Sequence, residues 1–538
     1  MSDNIVKKNT STDKHIIDVK KIVLSPYVTK LLMADFLLLI LTYGGFYRSI
    51  FANSDTLWGV LDPSSTFKAR LDCFRWIPAL FECFFNKTGL LPALNFRLSF
   101  FLFLCALCFS LLLIQIVFAD LFKRIYPLKC KEPLFLVTVI FAVSLSYINV
   151  LFTEFFYFTE TFYTFGLAFI LMSVGFYMLS IKKYVIAVMA FFFMTMCYQM
   201  SCPIITVCIG VYVYLEHRGE FSGELVKDEL IKAMPPMIFF VFNYVTGPMV
   251  QSILATVGIE PYQEKSVLAE YSLGEYICVL IPSVKELFSS SLELTPRIYM
   301  PLFVFAITFV TVFFLCLKRK SFNQLLTFLL VEVILGVLSL AVQIAENPNY
   351  FIARTSSTFY FALSMQLLIM IFFLASNDKE SNCFKRIEKI LYMLPVFAVL
   401  FNVFFIQCII QNRIISETLD SIYAEKIFAK IEGYEEETGI IVNKIAPIND
   451  TDSSPFYDQV NFCRGAINRR CYSDYTWTFL QYCAYETDLA GSLTGRSFER
   501  SSMNDDIYKE FFEGKNWTSF DEDEQIVIQD DTAYICVF

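Results

Sequence analysis

The chain is poor in histidine, in charge and in nucleotide-binding signatures. Only two histidines, His15 and His217, occur in 538 residues, which leaves little material for Ser-His or Cys-His nucleophiles. Neither a P-loop nor a GxGxxG fingerprint is present, so a nucleotide-driven pump or a nucleotide cofactor is not expected. The 16 cysteines are scattered, most of them inside apolar runs where Cys is a small apolar filler; none of Cys463, Cys471, Cys483 and Cys536 has zinc-site spacing, and no metal centre is expected. Charged residues make up only 18% of the chain, too few to clothe a soluble protein of this length.

Apolar residues fill the gap. Hydrophobic residues make up 56% of the chain, and 59 of them are Phe, more than one packed core explains. The mean hydropathy is +0.54. Lipid is the natural solvent for this excess. A membrane-crossing helix needs roughly 20 apolar residues, because the hydrocarbon core is about 30 Å thick and a helix rises about 1.5 Å per residue. About eleven segments meet that pattern: 31–51, 98–119, 134–152, 162–180, 184–202, 203–215, 233–257, 298–317, 324–344, 356–376 and 390–410. The sixth is short and follows the fifth through Pro203. The expected fold class is therefore an α-helical polytopic membrane protein.

The first 30 residues are polar, carry six lysines and lack an apolar stretch ending in a small-residue cleavage site. They read as a cytoplasmic tail, with the first span as a retained anchor. Lys/Arg bias in short loops sets orientation. With the N-terminus inside, the inner segments hold 22 Lys+Arg, against ten in the rest of the chain before residue 411. Lys182-Lys183 and Lys318-Arg319-Lys320 sit directly at span ends. An odd number of crossings then puts the C-terminus outside, periplasmic if the membrane is a bacterial inner one.

The expected organisation is a cytoplasmic tail 1–30, a transmembrane domain 31–410 with long outer loops 52–97 and 258–297, and an acidic outer domain 411–538. That last segment has 24 Asp+Glu against 11 Lys+Arg. Apolar positions from Gln411 to Lys430 recur at helical spacing, and Ile526-Val527-Ile528 and Tyr534–Phe538 read as strands, so a small α+β module is expected. Cys463, Cys471, Cys483 and Cys536 share this outer domain, and at least one disulfide among them is expected in an oxidising compartment.

Both histidines fall on the cytoplasmic side in this topology, so carboxylates and arginines must carry any outer chemistry. The first outer loop concentrates them: Asn53-Ser54-Asp55, Asp62, Arg70, Asp72, Arg75 and Trp76. A carboxylate near arginines at the membrane surface can take a proton from an acceptor hydroxyl while guanidinium groups hold a phosphate. The same residues also suit a solvated loop with surface ion pairs. A second cluster, Thr153 to Glu160, places Glu154 and Glu160 in an aromatic hinge between spans, where desolvation raises carboxyl pKa values; an interfacial aromatic belt is the plainer reading. Tyr198-Gln199 close one span, and Arg354 opens another. Trp76, like Trp58, Trp477 and Trp517, falls outside, where an indole packs on sugar faces or anchors at the interface.

This order of features resembles the type II O-antigen glucosyltransferases, serotype-converting enzymes related to the polytopic GT-C glycosyltransferases. The pieces are Asn53-Ser54-Asp55, Phe74-Arg75-Trp76, the hinge Glu154 to Glu160, Cys197-Tyr198-Gln199, Arg354 and a modest hydrophilic tail. Phe74 stands where the family usually has Gly, and Ser54-Asp55 where it often has two acids. The resemblance implies a polyprenyl-phosphate-linked hexose as donor and a lipid-linked O-antigen glycan as acceptor, joined in lipopolysaccharide assembly at the outer leaflet. Asp55, with Glu154 and Glu160 behind it, is the expected base. Arg70, Arg75 and Arg354 are expected to bind the donor phosphate, and Trp76, Tyr198 and Gln199 the substrate. No cofactor is needed, although a divalent cation is compatible, and no nucleic-acid partner is expected. A lipid-linked saccharide flippase or other transporter, an O-antigen polymerase and a non-enzymatic scaffold are the competing readings.

Overall fold

The computed structural model describes residues 26–48, 67–68, 70–71, 75–92, 94–256, 273–292, 294–345, 353–376, 382–448, 496, 498–515, 517 and 521–536. The helices are α1 Pro26–Tyr43, α2 Trp76–Thr88, α3 Phe96–Ile125, α4 Pro133–Ser144, α5 Phe162–Ser180, α6 Tyr184–Cys197, α7 Ser201–Glu216, α8 Gly223–Thr256, α9 Leu273–Ser290, α10 Met300–Lys318, α11 Phe322–Ser339, α12 Thr358–Ala375 and α13 Asn382–Thr438.

The chain is a polytopic helical protein. Eight helices among the described residues are long and apolar enough to cross a membrane: α1, α3, α5, α8, α10, α11, α12 and α13. This is fewer than the eleven read from the sequence, because α4, α6 and α7 are only 12, 14 and 16 residues long. At about 1.5 Å per residue, none of the three alone spans a hydrocarbon core about 30 Å thick. The expected span 134–152 stops being an α-helix at Ser144, and the chain continues through two 3-10 turns, Val150–Phe156 and Thr159–Thr161. Two segments expected to be long loops contain helices among their described residues: 52–97 contains α2 and 258–297 contains α9.

At the centre stands α12, every residue of which is buried. Its apolar residues surround the axis on all sides, the pattern of a helix enclosed by others. Polar atoms tie it to its neighbours: Ser364 Oγ donates to the Ala142 carbonyl at 2.6 Å on α4, and Gln366 Nε2 donates to Glu332 Oε2 at 3.1 Å on α11.

The long helix α13 has 57 residues and passes through residue 411 without a break, as the amphipathic pattern suggests. Beyond it lies a four-stranded sheet, β1 Lys444–Ile448, β2 Glu499–Arg500, β3 Ile526–Gln529 and β4 Thr532–Cys536, in the order β2-β1-β4-β3. β1 runs parallel to β2 and β4, and β3 pairs antiparallel with β4 across Asp530, whose φ of 54° suits a tight hairpin. Lys426 reaches Glu522 at 2.7 Å and Lys430 pairs with Asp523, fastening α13 to the short helix Glu522–Gln525 that leads into β3. Cys536 is buried at the end of β4; Cys463, Cys471, Cys483 and Trp477 lie outside the described residues.

The bundle has two unlike ends. At one, Arg124 pairs with Asp120 and Glu216, Lys232 with Glu216 and Asp228, His217 with Asp228, and Lys129 with Glu388. Lys182-Lys183 and Lys318-Arg319-Lys320 close the same end. The opposite end, reached by the start of α3, α5, α7 and α12 and the finish of α6, carries the residues considered next.

Candidate active site

The break after α4 creates the site. Ser144, Ser146, Asn149 and Thr153 all bear side chains that compete for backbone hydrogen bonds, which weakens a continuing helix. Asn149 Nδ2 donates to the Leu145 and Ser146 carbonyls at 3.2 and 2.9 Å, and its Oδ1 accepts from Phe152 N–H at 3.1 Å. Two distant helices complete the satisfaction. Tyr43 of α1 donates its hydroxyl to the Tyr147 carbonyl at 2.7 Å, and Asn402 Oδ1 of α13 accepts the Val150 N–H at 3.1 Å. Residues from Leu145 to Phe156 are fully or almost fully buried. Irregular backbone at membrane depth is tolerated only in such protein-enclosed surroundings.

Glu154 projects from this segment and is completely buried. Its Oε2 accepts the Arg354 backbone N–H at 2.7 Å, and its Oε1 lies 3.5 Å from Arg354 Nη1. The Arg354 guanidinium in turn lies over the Phe158 ring, 3.8 Å from its centroid. Burial pushes the Glu154 carboxyl up to about 7, against the opposing pull of the guanidinium and the Arg354 and Ala353 N–H groups.

A second set of charges stands beside it. Arg70 lies between two carboxylates, with Nη2 3.5 Å from Glu160 Oε1 and Nε 3.6 Å from Glu82 Oε2. Burial raises the Glu82 carboxyl above its ordinary value, and Arg70 opposes it. A cleft of about 420 Å³, counting its open mouth, is lined by Arg70, Glu82, Glu160, Phe85, Tyr163 and Pro92 among others.

Arg75 links the two sets. Its N–H donates to the Arg70 carbonyl at 2.9 Å, and its guanidinium lies 5.4 Å from the Tyr198 ring centroid. No carboxylate pairs with it among the described residues, and its buried Nε has no hydrogen-bond partner there. Tyr198 is held in extended backbone at the end of α6, its ring against Phe165 and Phe155 at 4.8 and 5.9 Å. Trp76 starts α2 and donates Nε1 to Asn243 Oδ1 at 3.3 Å. Gln199 is buried in the turn between α6 and α7.

Residues chosen from four separated stretches therefore meet at one end of the bundle: Arg70, Arg75 and Trp76; Glu154 and Glu160; Tyr198 and Gln199; and Arg354. Asp55, Asp62, Asp72 and Trp58 lie outside the described residues. His217, the only histidine among the described residues, sits at the opposite end. Sequence reasoning missed Glu82, Phe158 and Tyr163. Treating 52–97 as a loop hid the helical spacing of Pro78, Glu82 and Phe85, the signal that puts Glu82 on the cleft face. Among the described residues no three His, Cys, Asp or Glu side chains gather as a metal centre.

Comparison with protein-family models, with curated proteins and with solved structures finds no match. A functional reading therefore rests on the chemistry of this site.

Proposed function

We propose that the chain transfers a hexosyl group, glucosyl by the family resemblance, from a polyprenyl-phosphate carrier to a lipid-linked O-antigen glycan. The proposed location is the periplasmic face of a bacterial inner membrane, within a GT-C-like architecture. The observation that carries it is Arg75: a cation whose buried Nε has no partner among the described residues, at the same end of the bundle as the ion pairs of Arg354 with Glu154 and of Arg70 with Glu82 and Glu160. A guanidinium placed so is equipped for a phosphate, which it grips through two parallel N–H groups. Such a donor also suits its compartment, since a lipid carrier reaches an outer site by lateral diffusion and no nucleotide sugar is needed.

Arg75 holds the donor phosphate, with Arg354 beside Glu154 contributing a second positive charge. The charge of Arg70 is engaged by Glu82 and Glu160, which makes it the weaker phosphate ligand of the three. Glu154 takes the proton from the acceptor hydroxyl, with Asp55 and Glu160 as the other carboxylates available for that role. The hydroxyl oxygen forms its bond to the anomeric carbon as the bond from that carbon to the phosphate oxygen breaks. The electron pair leaves with the polyprenyl phosphate, and direct displacement inverts the anomeric centre.

Glycan mass spectrometry tests this reading. Cells with the protein should carry one added hexose per modified repeat, and cells without it, or with Glu154→Gln, should not. Identical glycans in all three strains would overturn it.

A second reading, a lipid-linked saccharide flippase, is favoured by the broken helix after α4 and by buried acids within the spans. Asp35 receives a hydrogen bond from Gln115 Nε2 at 3.1 Å, and Glu332 one from Gln366. Transbilayer movement of lipid-linked saccharide in proteoliposomes, without a change in its composition, would move that reading ahead.

A further inference from the structure

We infer that Asp35 and Glu332 each bind a proton inside the membrane, closing two acid–amide pairs that join α1 to α3 and α11 to α12. Both pairs lie within the spans and do not depend on what is transferred at the outer end.

The two acids stand in the same arrangement. Each lies within an apolar span, Asp35 in Tyr27–Arg48 and Glu332 in Phe322–Ser339. Each meets a glutamine of a neighbouring helix: Gln115 Nε2 donates to Asp35 Oδ1 at 3.1 Å, and Gln366 Nε2 donates to Glu332 Oε2 at 3.1 Å. In both pairs the second carboxyl oxygen and the glutamine oxygen are buried and have no hydrogen-bond partner among the described residues. These atoms are Asp35 Oδ2 with Gln115 Oε1, and Glu332 Oε1 with Gln366 Oε1. Among the described residues no Lys, Arg or His pairs with either acid. Their titratable neighbours are Tyr27 and Cys108 for Asp35 and Tyr214 for Glu332, groups that are uncharged at neutral pH.

A proton answers both deficits at once. An ionised carboxylate buried without a cation gives up its hydration with no compensating charge. A proton on the free carboxyl oxygen removes that charge and supplies the donor that the glutamine oxygen of the same pair lacks. A metal ion is a poorer occupant, because each pair offers only two free oxygens and hard cations take about six. A water molecule can donate to both oxygens but leaves the charge in place.

The Asp35 pair also reaches the chain that carries Glu154. Gln115 Nε2 donates to Ser144 Oγ at 3.1 Å as well, and Ser144 Oγ donates to the Ile140 carbonyl at 2.9 Å. Ser144 is the last residue of α4. The proton on Asp35 therefore fixes the amide that holds the helix end, which makes Asp35 a positioning residue. The Glu332 pair fastens the enclosed helix α12 in the same way.

Infrared difference spectroscopy on the full-length protein in lipid nanodiscs at neutral pH tests this, with aspartate or glutamate isotopically labelled at the side-chain carboxyl carbon. The spectrum of the unaltered protein minus that of Asp35→Asn should contain a protonated-carboxyl C=O band that shifts with labelled aspartate. The spectrum minus that of Glu332→Gln should contain one that shifts with labelled glutamate. An amide copies a protonated acid, accepting through its oxygen and donating through its nitrogen. Both amide variants should therefore keep the thermal midpoint, whereas Asp35→Leu and Glu332→Leu, which strand the glutamines, should lower it. Carboxylate bands in place of the protonated ones, the outcome for an ionised acid beside a water or a metal ion, would overturn the inference. So would amide variants whose midpoints fall as far as those of the leucine variants.

Discussion

Glu154 grips Arg354 at two points, through the backbone N–H at 2.7 Å and the guanidinium at 3.5 Å, although the two residues are 200 positions apart in sequence. Glu154 is completely buried, so its carboxyl has no water to fall back on. A carboxyl pushed up to about 7 is half ionised near neutrality. As a base it works only when ionised, so the initial rate of hexosyl transfer should rise with pH from roughly 6 to 8 and then level. Arg354→Gln removes a group that favours the ionised form and should move this limb to higher pH. A rate-against-pH profile of the unaltered protein that is flat over that range would remove Glu154 from the role. The same shift has a stability consequence: the unfolded carboxyl ionises first, so the folded state loses stability as pH rises from the ordinary carboxylate range through 7.

Glu154→Gln keeps an acceptor for the Arg354 N–H but cannot take a proton. Loss of a positioned base lowers a rate by about 10² to 10⁴, so product should nearly vanish while the protein stays in the membrane. Asp55→Asn and Glu160→Gln, assayed in parallel by radiolabelled hexose transfer, decide among the three carboxylates. If all three variants keep full activity, a carboxylate base is excluded and the flippase reading leads.

Arg75→Lys keeps the charge but replaces a planar fork with a point charge and loses the packing on Tyr198. The KM for the lipid-phosphate donor should rise, with a smaller effect on kcat. Equal KM values for the two proteins would show that no phosphate is held there.

Asn402→Ala leaves the Val150 N–H without its acceptor in a buried segment. Stranding such a group costs about 1 to 3 kcal/mol, so the thermal midpoint in detergent should fall. An unchanged midpoint would mean that the segment after α4 does not depend on α13.

The basic end of the bundle should face the cytoplasm. A reporter active only in the periplasm, fused after Phe538, should be active, and a cytoplasm-only reporter there should be silent. The reverse pattern would turn Glu154, Arg354 and the cleft toward the cytosol and remove a lipid-carried donor at the outer leaflet from consideration.

Hydrophobic run length is a local property, since each stretch must satisfy its own backbone whatever its neighbours do. For that reason the long helices α3, α5, α10, α12 and the membrane half of α13 were legible in the sequence. So were the helix continuing past Gln411 and the strands at Ile526 and Tyr534, because their apolar periods are written in a few consecutive residues. The candidate residues were legible as types, acids and arginines in aromatic surroundings, but not as partners. That Glu154 meets Arg354, and that Arg70 is shared by Glu82 and Glu160, follows from how α2, α5 and the chain before α12 come together, a matter of packing between segments far apart in sequence. The end of α4 at Ser144 is of the same kind. Ser144, Ser146 and Asn149 weaken the helix locally, but the buried backbone can leave it and put a carboxylate at the centre of the site only with the further hydrogen bonds of the Tyr43 hydroxyl and the Asn402 amide, which arrive from helices α1 and α13.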